Sequence, residues 1–265
     1  MRPVGALSKL LGFALAVAAF ATASVEAAPR QNQAVVRAVR GTANYSTDAG
    51  ANWRNLNVGM RLGQNSVIRT APGSVVDLFL GDNGPVVRVT EATTMGIDTL
   101  TSENVGNETV IETQLDLRNG RILGNVKKLA EASTYEVKTP QGVAGIRGTR
   151  YDIRADGTVT VLEGTVIVVY VVGGQTIPAV VVNEGQTVRP PTQAGQPVTP
   201  SPADPALLAD IGRQLDEAGR PPGRDITGQP AVVIVVEPKE ALQEGDRAKL
   251  EPVPERQPTP IEGVN

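Results

Sequence analysis

Gly145-Ile146-Arg147-Gly148-Thr149, followed by Arg150, is the segment of this 265-residue sequence whose residue types and spacing most invite a ligand. Glycines leave backbone N–H groups open, and Arg147 and Arg150 would add charge, so the segment could cradle an anion. The plainer reading is preferred: the glycines permit tight turns and close packing, and Thr149 starts a strand. No P-loop pattern of strand, Gly-rich loop closing on Lys-Ser or Lys-Thr, and helix surrounds it. Asp77, Asp82, Glu91, Asp152 and Asp156 supply acids for a paired-carboxylate glycosidase site, but sequence does not show their separation. Asp82 and Asp156 read as turn residues. Glu163-Gly164 reads as a hairpin turn with an exposed Glu rather than a catalytic or metal carboxylate. Carbohydrate binding would use an aromatic platform, for which Trp53 beside a hairpin is the best candidate, with Tyr45, Tyr135, Tyr151 and Tyr170 behind it. A Trp capping the core is the plainer alternative. The candidate contact residues are therefore Trp53, Arg147 and Arg150. No catalytic or metal residue and no cofactor is implied.

The composition narrows the chemistry further. The chain has no His and no Cys. The commonest general base and metal ligand, any disulfide and any thiolate site are all missing. A net charge of −3 argues against a phosphate-tracking surface, so nucleic acid is not an expected partner. Aromatic residues make up only 3%, so a core must be built from Val, Ile and Leu, which favours β-structure.

The elements that would position these residues are short strands separated by turns, from about Gln33 to Arg189. Ala34–Val39, Ala43–Ser46, Asn52–Leu56, Val67–Thr70, Ser74–Leu80, Val86–Val89, Thr109–Leu117, Ile122–Val126, Tyr135–Thr139, Arg150–Ile153, Thr158–Leu162 and Thr165–Val172 read as strands. Asp48-Ala49-Gly50 and Asn119-Gly120 read as hairpin turns. Pro140 to Gly148 reads as a Gly-rich connection, and Lys127 to Ala132 as one helical turn. Arg37, Arg40, Arg61, Arg69 and Arg88 fall on alternating strands and read as a solvated sheet face. Val67 to Gly73 echoes Glu136 to Gly142, each followed by a strand with an Asp (Asp77, Asp152), which suggests two related halves. The fold expected is all-β, sandwich- or solenoid-like.

Both ends differ in character. Arg2, Lys9 and the apolar run Leu10–Ala21 read as an export signal ending near residue 28, an uncleaved anchor being the competing reading. No later segment is apolar and long enough to span a membrane. From Pro190 to Asn265 the chain is Pro-rich and reads as a largely disordered tail. Within it, Asp204-Pro205 starts a helix near 205–218, with Leu207, Leu208, Ile211 and Leu215 on one stripe. Ala231–Val236 is apolar enough to add an edge strand.

Several ordered motifs resemble the FecR family domain over about Val35 to Val188. They are Leu62-Gly63-Gln64-Asn65-Ser66-Val67-Ile68-Arg69-Thr70, Ser74-x-Val76-x-Leu78-x-Leu80-x-Asp82-x-Gly84, Thr139-Pro140, Ile146-Arg147-Gly148-Thr149-x-Tyr151-x-Ile153, Val159-x-Val161-x-Glu163-Gly164-x-Val166, and Asn183-Glu184-Gly185-Gln186. Gln64-Asn65 stands where the family has Gly-Asp. The family takes its name from a membrane regulator that relays an iron-siderophore signal to a cytoplasmic sigma factor. With only about nine residues ahead of the apolar run, the resemblance implies the periplasmic β-domain rather than the whole relay. The function expected is an exported, non-enzymatic protein-interaction, signalling or scaffold module with an unknown envelope partner. The alternative is a cell-surface module binding a polysaccharide.

Overall fold

The computed structural model describes residues 29–220. The segment read as an export signal and the Ala231–Val236 run lie outside the described residues. In chain order the first strands are β1 (Arg30–Gln31), β2 (Ala34–Arg40), β3 (Ala43–Ser46), β4 (Arg54–Asn55), β5 (Arg61–Leu62) and β6 (Ser66–Thr70). Next come β7 (Val75–Phe79), β8 (Val86–Val89), β9 (Thr94–Val105), β10 (Glu108–Asn119), β11 (Arg121–Asn125), β12 (Thr134–Thr139) and β13 (Gly142–Ile146). The last are β14 (Arg150–Arg154), β15 (Val159–Glu163), β16 (Thr165–Val172), β17 (Gln175–Thr176), β18 (Val180–Asn183), β19 (Gln186–Val188) and β20 (Ser201–Pro202), followed by one helix, α1 (Pro205–Gly219).

Among the described residues these strands form two sheets. Sheet one has eleven strands, with the path β17-β16-β13-β12-β10-β9-β6-β3-β4 and with β1 on β9 and β18 on β16. Sheet two has nine, in the order β20-β19-β15-β14-β11-β8-β7-β2-β5. Neighbours are antiparallel except β10 and β12. The chain mostly lays two strands in one sheet and then crosses: β7 and β8 in sheet two, β9 and β10 in sheet one, β12 and β13 in sheet one, β14 and β15 in sheet two. Both sheets therefore grow in the same direction, and the sandwich is wound like a solenoid.

The two inner faces share one core. Ile68, Met95, Ile97, Leu115, Val137 and Val166 come from sheet one, and Val36, Val76, Leu78, Val87, Ile122, Ile153 and Val161 from sheet two. Alternation along each strand supplies this inner row, as a pleated sheet requires. Tyr135 of sheet one meets Tyr151 of sheet two edge to face, with ring centres 6.5 Å apart and hydroxyls 3.3 Å apart. Burial raises the pKa of both phenols. Tyr151 fits because Gly124 has no side chain: a Cβ there would lie 2.1 Å from the ring.

Two turns that read as hairpins are crossings. Asn119-Gly120 carries the chain from β10 in sheet one to β11 in sheet two, and Glu163-Gly164 carries it back from β15 to β16. Gly120 sits at φ +82°, and a Cβ on it would come within 2.2 Å of Thr93 Oγ1. Pro140–Gly148 is likewise not one loop, since Gly142–Ile146 within it is β13, paired with β12 and β16. Lys127–Ala132 forms no helical turn. The sequence echo does not extend to topology. The Ala71-Pro72-Gly73 turn crosses between sheets, whereas Pro140-Gln141 closes a hairpin within sheet one. The sequence reading ended the β-domain at Arg189. In the structure β20 pairs with β19, and α1 buries Ile211, Leu215 and Ala218, so the chain stays with the sheets through that helix.

Gly124→Ala is expected to lower stability by about 2–3 kcal/mol, because the added methyl meets the Tyr151 ring. Denaturant unfolding of the single variant checks this, and an unchanged midpoint would contradict the close approach.

Candidate functional site

The sandwich presents two outer faces of different chemistry. On sheet two the outward rows carry charges, and α1 covers those of β8, β11, β14 and β15. Asp204 caps the helix, its side chain accepting from the Ala206 N–H at 2.8 Å, and Pro205 occupies the first turn, where its missing N–H costs nothing. Ile211, Leu215 and Ala218 pack on Val86 and Leu123, a small apolar cluster separate from the main core. Beside it Arg88 donates to Asp77 at 2.7 and 2.9 Å. Its third contact is Glu217 of α1 at 3.0 Å. Arg40 joins the same Glu217 at 2.9 Å. The Arg88 and Asp77 side chains are only 3% and 4% exposed. Arg88, which the sequence placed on a solvated face, is therefore buried, because a helix from the far end of the domain covers it.

A second buried acid sits three strands from Asp77. Asp152, 1% exposed, accepts from Arg121 Nε at 2.9 Å. Arg121 Nη2 also stands 2.9 Å from Asp152 Oδ2, but neither atom has hydrogen-bond geometry, so Nε carries the bond. Burial raises the Asp152 pKa against the opposing pull of Arg121. Burial by itself would lower the Arg88 guanidinium, but its hydrogen bond and charge pairing with Asp77 leave it raised. Asp77 and Asp152, the acids of the sequence echo, thus play the same part, each neutralised by an arginine under or beside the helix. Glu91 accepts from the Gly73 N–H at 2.7 Å and Asp156 from the Thr158 N–H at 2.9 Å, both as turn residues.

The sequence-selected residues lie apart. Arg150 donates to Glu163 at 3.0 Å, to Asp216 of α1 at 2.6 Å and to the Gly212 carbonyl at 3.2 Å, so it fastens the helix. Glu163 is in consequence an ion-pair partner at a crossing. Trp53 is half-buried outside the core cluster, and the Arg69 guanidinium lies 4.2 Å over its ring. Its hairpin is organised by Asp48, which Ser46 first and Asn52 second hold well below the usual carboxylate range. The anticipated core-capping role is replaced by an arginine stack, because the hairpin ends in the two-residue β4, and Leu56 rather than Trp53 joins the core. Arg147 is exposed in the β13–β14 connection and forms no ion pair among the described residues. Gly148 beside it packs on Lys128, and Gly164 on the Gly148 carbonyl, so these glycines serve close approach rather than an anion cradle. Among the described residues no three acids converge as a metal site.

Among the described residues the outer face of sheet one is open toward its C-terminal edge. Ile167 and Val171 of β16 and Val181 of β18 are 50%, 45% and 51% exposed. Ile167 and Val181 are directly opposite in the register, and Val169 and Val143 continue the row. Sequence reasoning missed this face, since Thr165–Val172 is apolar at nearly every position and nothing local marks which side lacks a cover.

Residues 66–167 match the family model described as FecR protein. The chain carries a FecR domain. The matched span runs from β6 to the middle of β16 and so includes Arg147, the Asp77 and Asp152 pairs and Ile167. Two crystal structures of a candidate anti-sigma factor from Parabacteroides distasonis ATCC 8503, at 2.50 and 1.65 Å resolution, are similar at 17% identity with TM-scores of 0.41 and 0.40. Each comparison covers 54% of this chain and 62% of that one, so the FecR-domain chain spans about three-fifths of their length. No curated protein matches it. No helix among the described residues is long and apolar enough to cross a membrane.

Two measurements test how α1 is held on the FecR domain. Arg88→Leu leaves Asp77 buried and unpaired and is expected to cost about 3–5 kcal/mol, with the double change Arg88→Leu/Asp77→Leu costing far less. Denaturant unfolding of both decides, and equal losses would contradict the pairing. Glu217, hydrogen-bonded by Arg88 and flanked by Arg40, titrates below its ordinary 4.5. The stability it adds is therefore present above 4.5 and lost as pH falls through the lower folded value. Asp152 acts in the opposite sense. Glu217→Gln should remove the loss below 4.5, read as the midpoint of thermal unfolding against pH, and an unchanged profile would show that Glu217 does not clamp the helix.

Proposed function

We propose that the chain is an exported, non-enzymatic FecR-domain protein that acts through protein contacts in the cell envelope, as a signalling regulator or scaffold. The observation that carries this reading is the open apolar row of Ile167, Val171 and Val181 on sheet one. Singly exposed apolar residues are ordinary on a protein surface, but a contiguous group points to a contact surface. Here it contrasts with the central strands of sheet two, β8, β11, β14 and β15, whose outer face is covered by α1 and by arginine–carboxylate pairs. The family match to FecR supports a regulatory protein rather than a catalyst. The arginine pairing of Asp77 and Asp152 speaks against their use as a free acid and base. The positively charged start and apolar run of residues 1–28 support export. The carbohydrate reading loses its platform, since the Trp53 ring is covered by Arg69.

The full chain should capture a specific envelope protein, and Ile167→Asp/Val181→Asp should weaken that capture at least tenfold. Half-exposed strand positions tolerate such changes with losses of about 1 kcal/mol, so unfolding curves should stay close to the parent. Quantitative pull-down from envelope extracts checks it. The absence of any specific partner, or capture unchanged in the double variant, would contradict the reading.

A further inference from the structure

The open face of sheet one holds a more specific feature than its apolar row. Register places Glu136, Gly145 and Ile167 abreast on β12, β13 and β16. Gly145 leaves a gap in the middle of that row, with nothing nearer to an added Cβ than the Ile167 carbonyl oxygen at 3.7 Å. The gap opens into a shallow groove of about 340 Å³ that takes in Thr134, Arg147, Thr165 and Ile167. Continuing the register by two residues sets Arg147 between Thr134 and Thr165, one strand repeat beyond the gap, about 7 Å away. One wall is polar, with Gln114 donating to Glu136 at 3.1 Å, and the other is apolar, with Ile167 backed by Val181.

Basic side chains stand at the groove's end, with Glu112 the acid one strand beyond Thr134. Arg147 and Lys128 are both exposed and form no ion pair among the described residues, and the Lys128 backbone lies against Gly148. Glu131 is the acid of the same loop, and Glu136 is held by Gln114.

We infer that this groove docks an extended segment of a partner protein with an apolar side chain in the Gly145 gap and a carboxylate, two residues along, on Arg147. The inference rests on the protein-contact reading and names its partner chemistry. An extended strand presents residues i and i+2 on one side at the spacing of the gap and the guanidinium. The apolar side chain buries against Ile167. The carboxylate gains a charge-assisted hydrogen bond from a cation that has no competing acid pairing.

The test uses the full chain and two fluorescent nonapeptides of alternating Val and Thr, one with Asp two residues after the central Val and one with Lys there. The Asp peptide is expected to bind at least tenfold more tightly by anisotropy, and Arg147→Glu should invert that preference. Gly145→Val should weaken the Asp peptide at least tenfold with the melting temperature unchanged or raised, since a β-branched residue suits a strand with open space above it. Equal binding of the two peptides, or indifference to both substitutions, would overturn the inference. So would Arg147-dependent binding of anionic lipid vesicles in place of the peptide. The two readings fail differently. Envelope capture that needs Ile167 and Val181 but ignores Gly145 and Arg147 removes this groove and leaves the protein-contact reading standing. Loss of capture by the parent chain removes the reading itself.

Discussion

The constraint on which the structure depends is that two sheets share one aliphatic core while the chain keeps passing between them. The tightest of these passages are made in one or two residues, without breaking the alternation that sends every second side chain inward. Glycine meets this at Gly120 and Gly164, where the backbone comes so close to Thr93 or to the Gly148 carbonyl that a Cβ would clash. The same economy of space lets Tyr151 lie on Gly124 and reach Tyr135 across the core. With so few aromatic residues, this tyrosine pair is a main bulky filler between layers otherwise made of Val, Ile and Leu.

The winding has a second consequence. Because both sheets grow in the same direction, the chain leaves the far end of the domain free to turn back, and α1 is laid over sheet two. That cover turns outward-facing charges into buried ones. Asp77 and Arg88 satisfy each other, and Glu217 and Asp216 on the helix reach Arg88, Arg40 and Arg150 from outside. Buried pairs of this kind add little net stability against apolar replacements, but they penalise any arrangement that leaves one partner alone. They fix where the helix sits, and among the described residues they leave sheet one as the face without a cover.

Much of this was legible in the sequence, and the reasons for the rest are physical. Val86–Val89 and Thr165–Val172 were read with their observed bounds, since runs of β-branched residues between turn signals have few other outcomes. α1 was legible from Asp204-Pro205 and its apolar stripe. Thr94–Val105 was missed because its Thr, Asp, Ser and Asn residues carry weak strand signals, and long pairing with β10 holds it. Gly142–Ile146 hid in a Gly-rich stretch for the same reason. Turn chemistry told where the chain reverses but not whether it stays in one sheet. At the site, Arg147 stood out by type, whereas Ile167 and Val181 did not. A strand apolar on both faces reads as doubly buried, and only the tertiary structure shows that one face has no cover among the described residues.

The central claim is that the uncovered face of sheet one, rather than the helix-covered face of sheet two, meets the partner. Site-specific photo-crosslinking in cells tests it most directly, with a photoreactive residue placed at Ile167 in one variant and at the exposed Arg213 of α1 in another. The expected result is a discrete protein adduct from position 167 and none from position 213. An adduct from position 213 alone, or none from position 167, would contradict it.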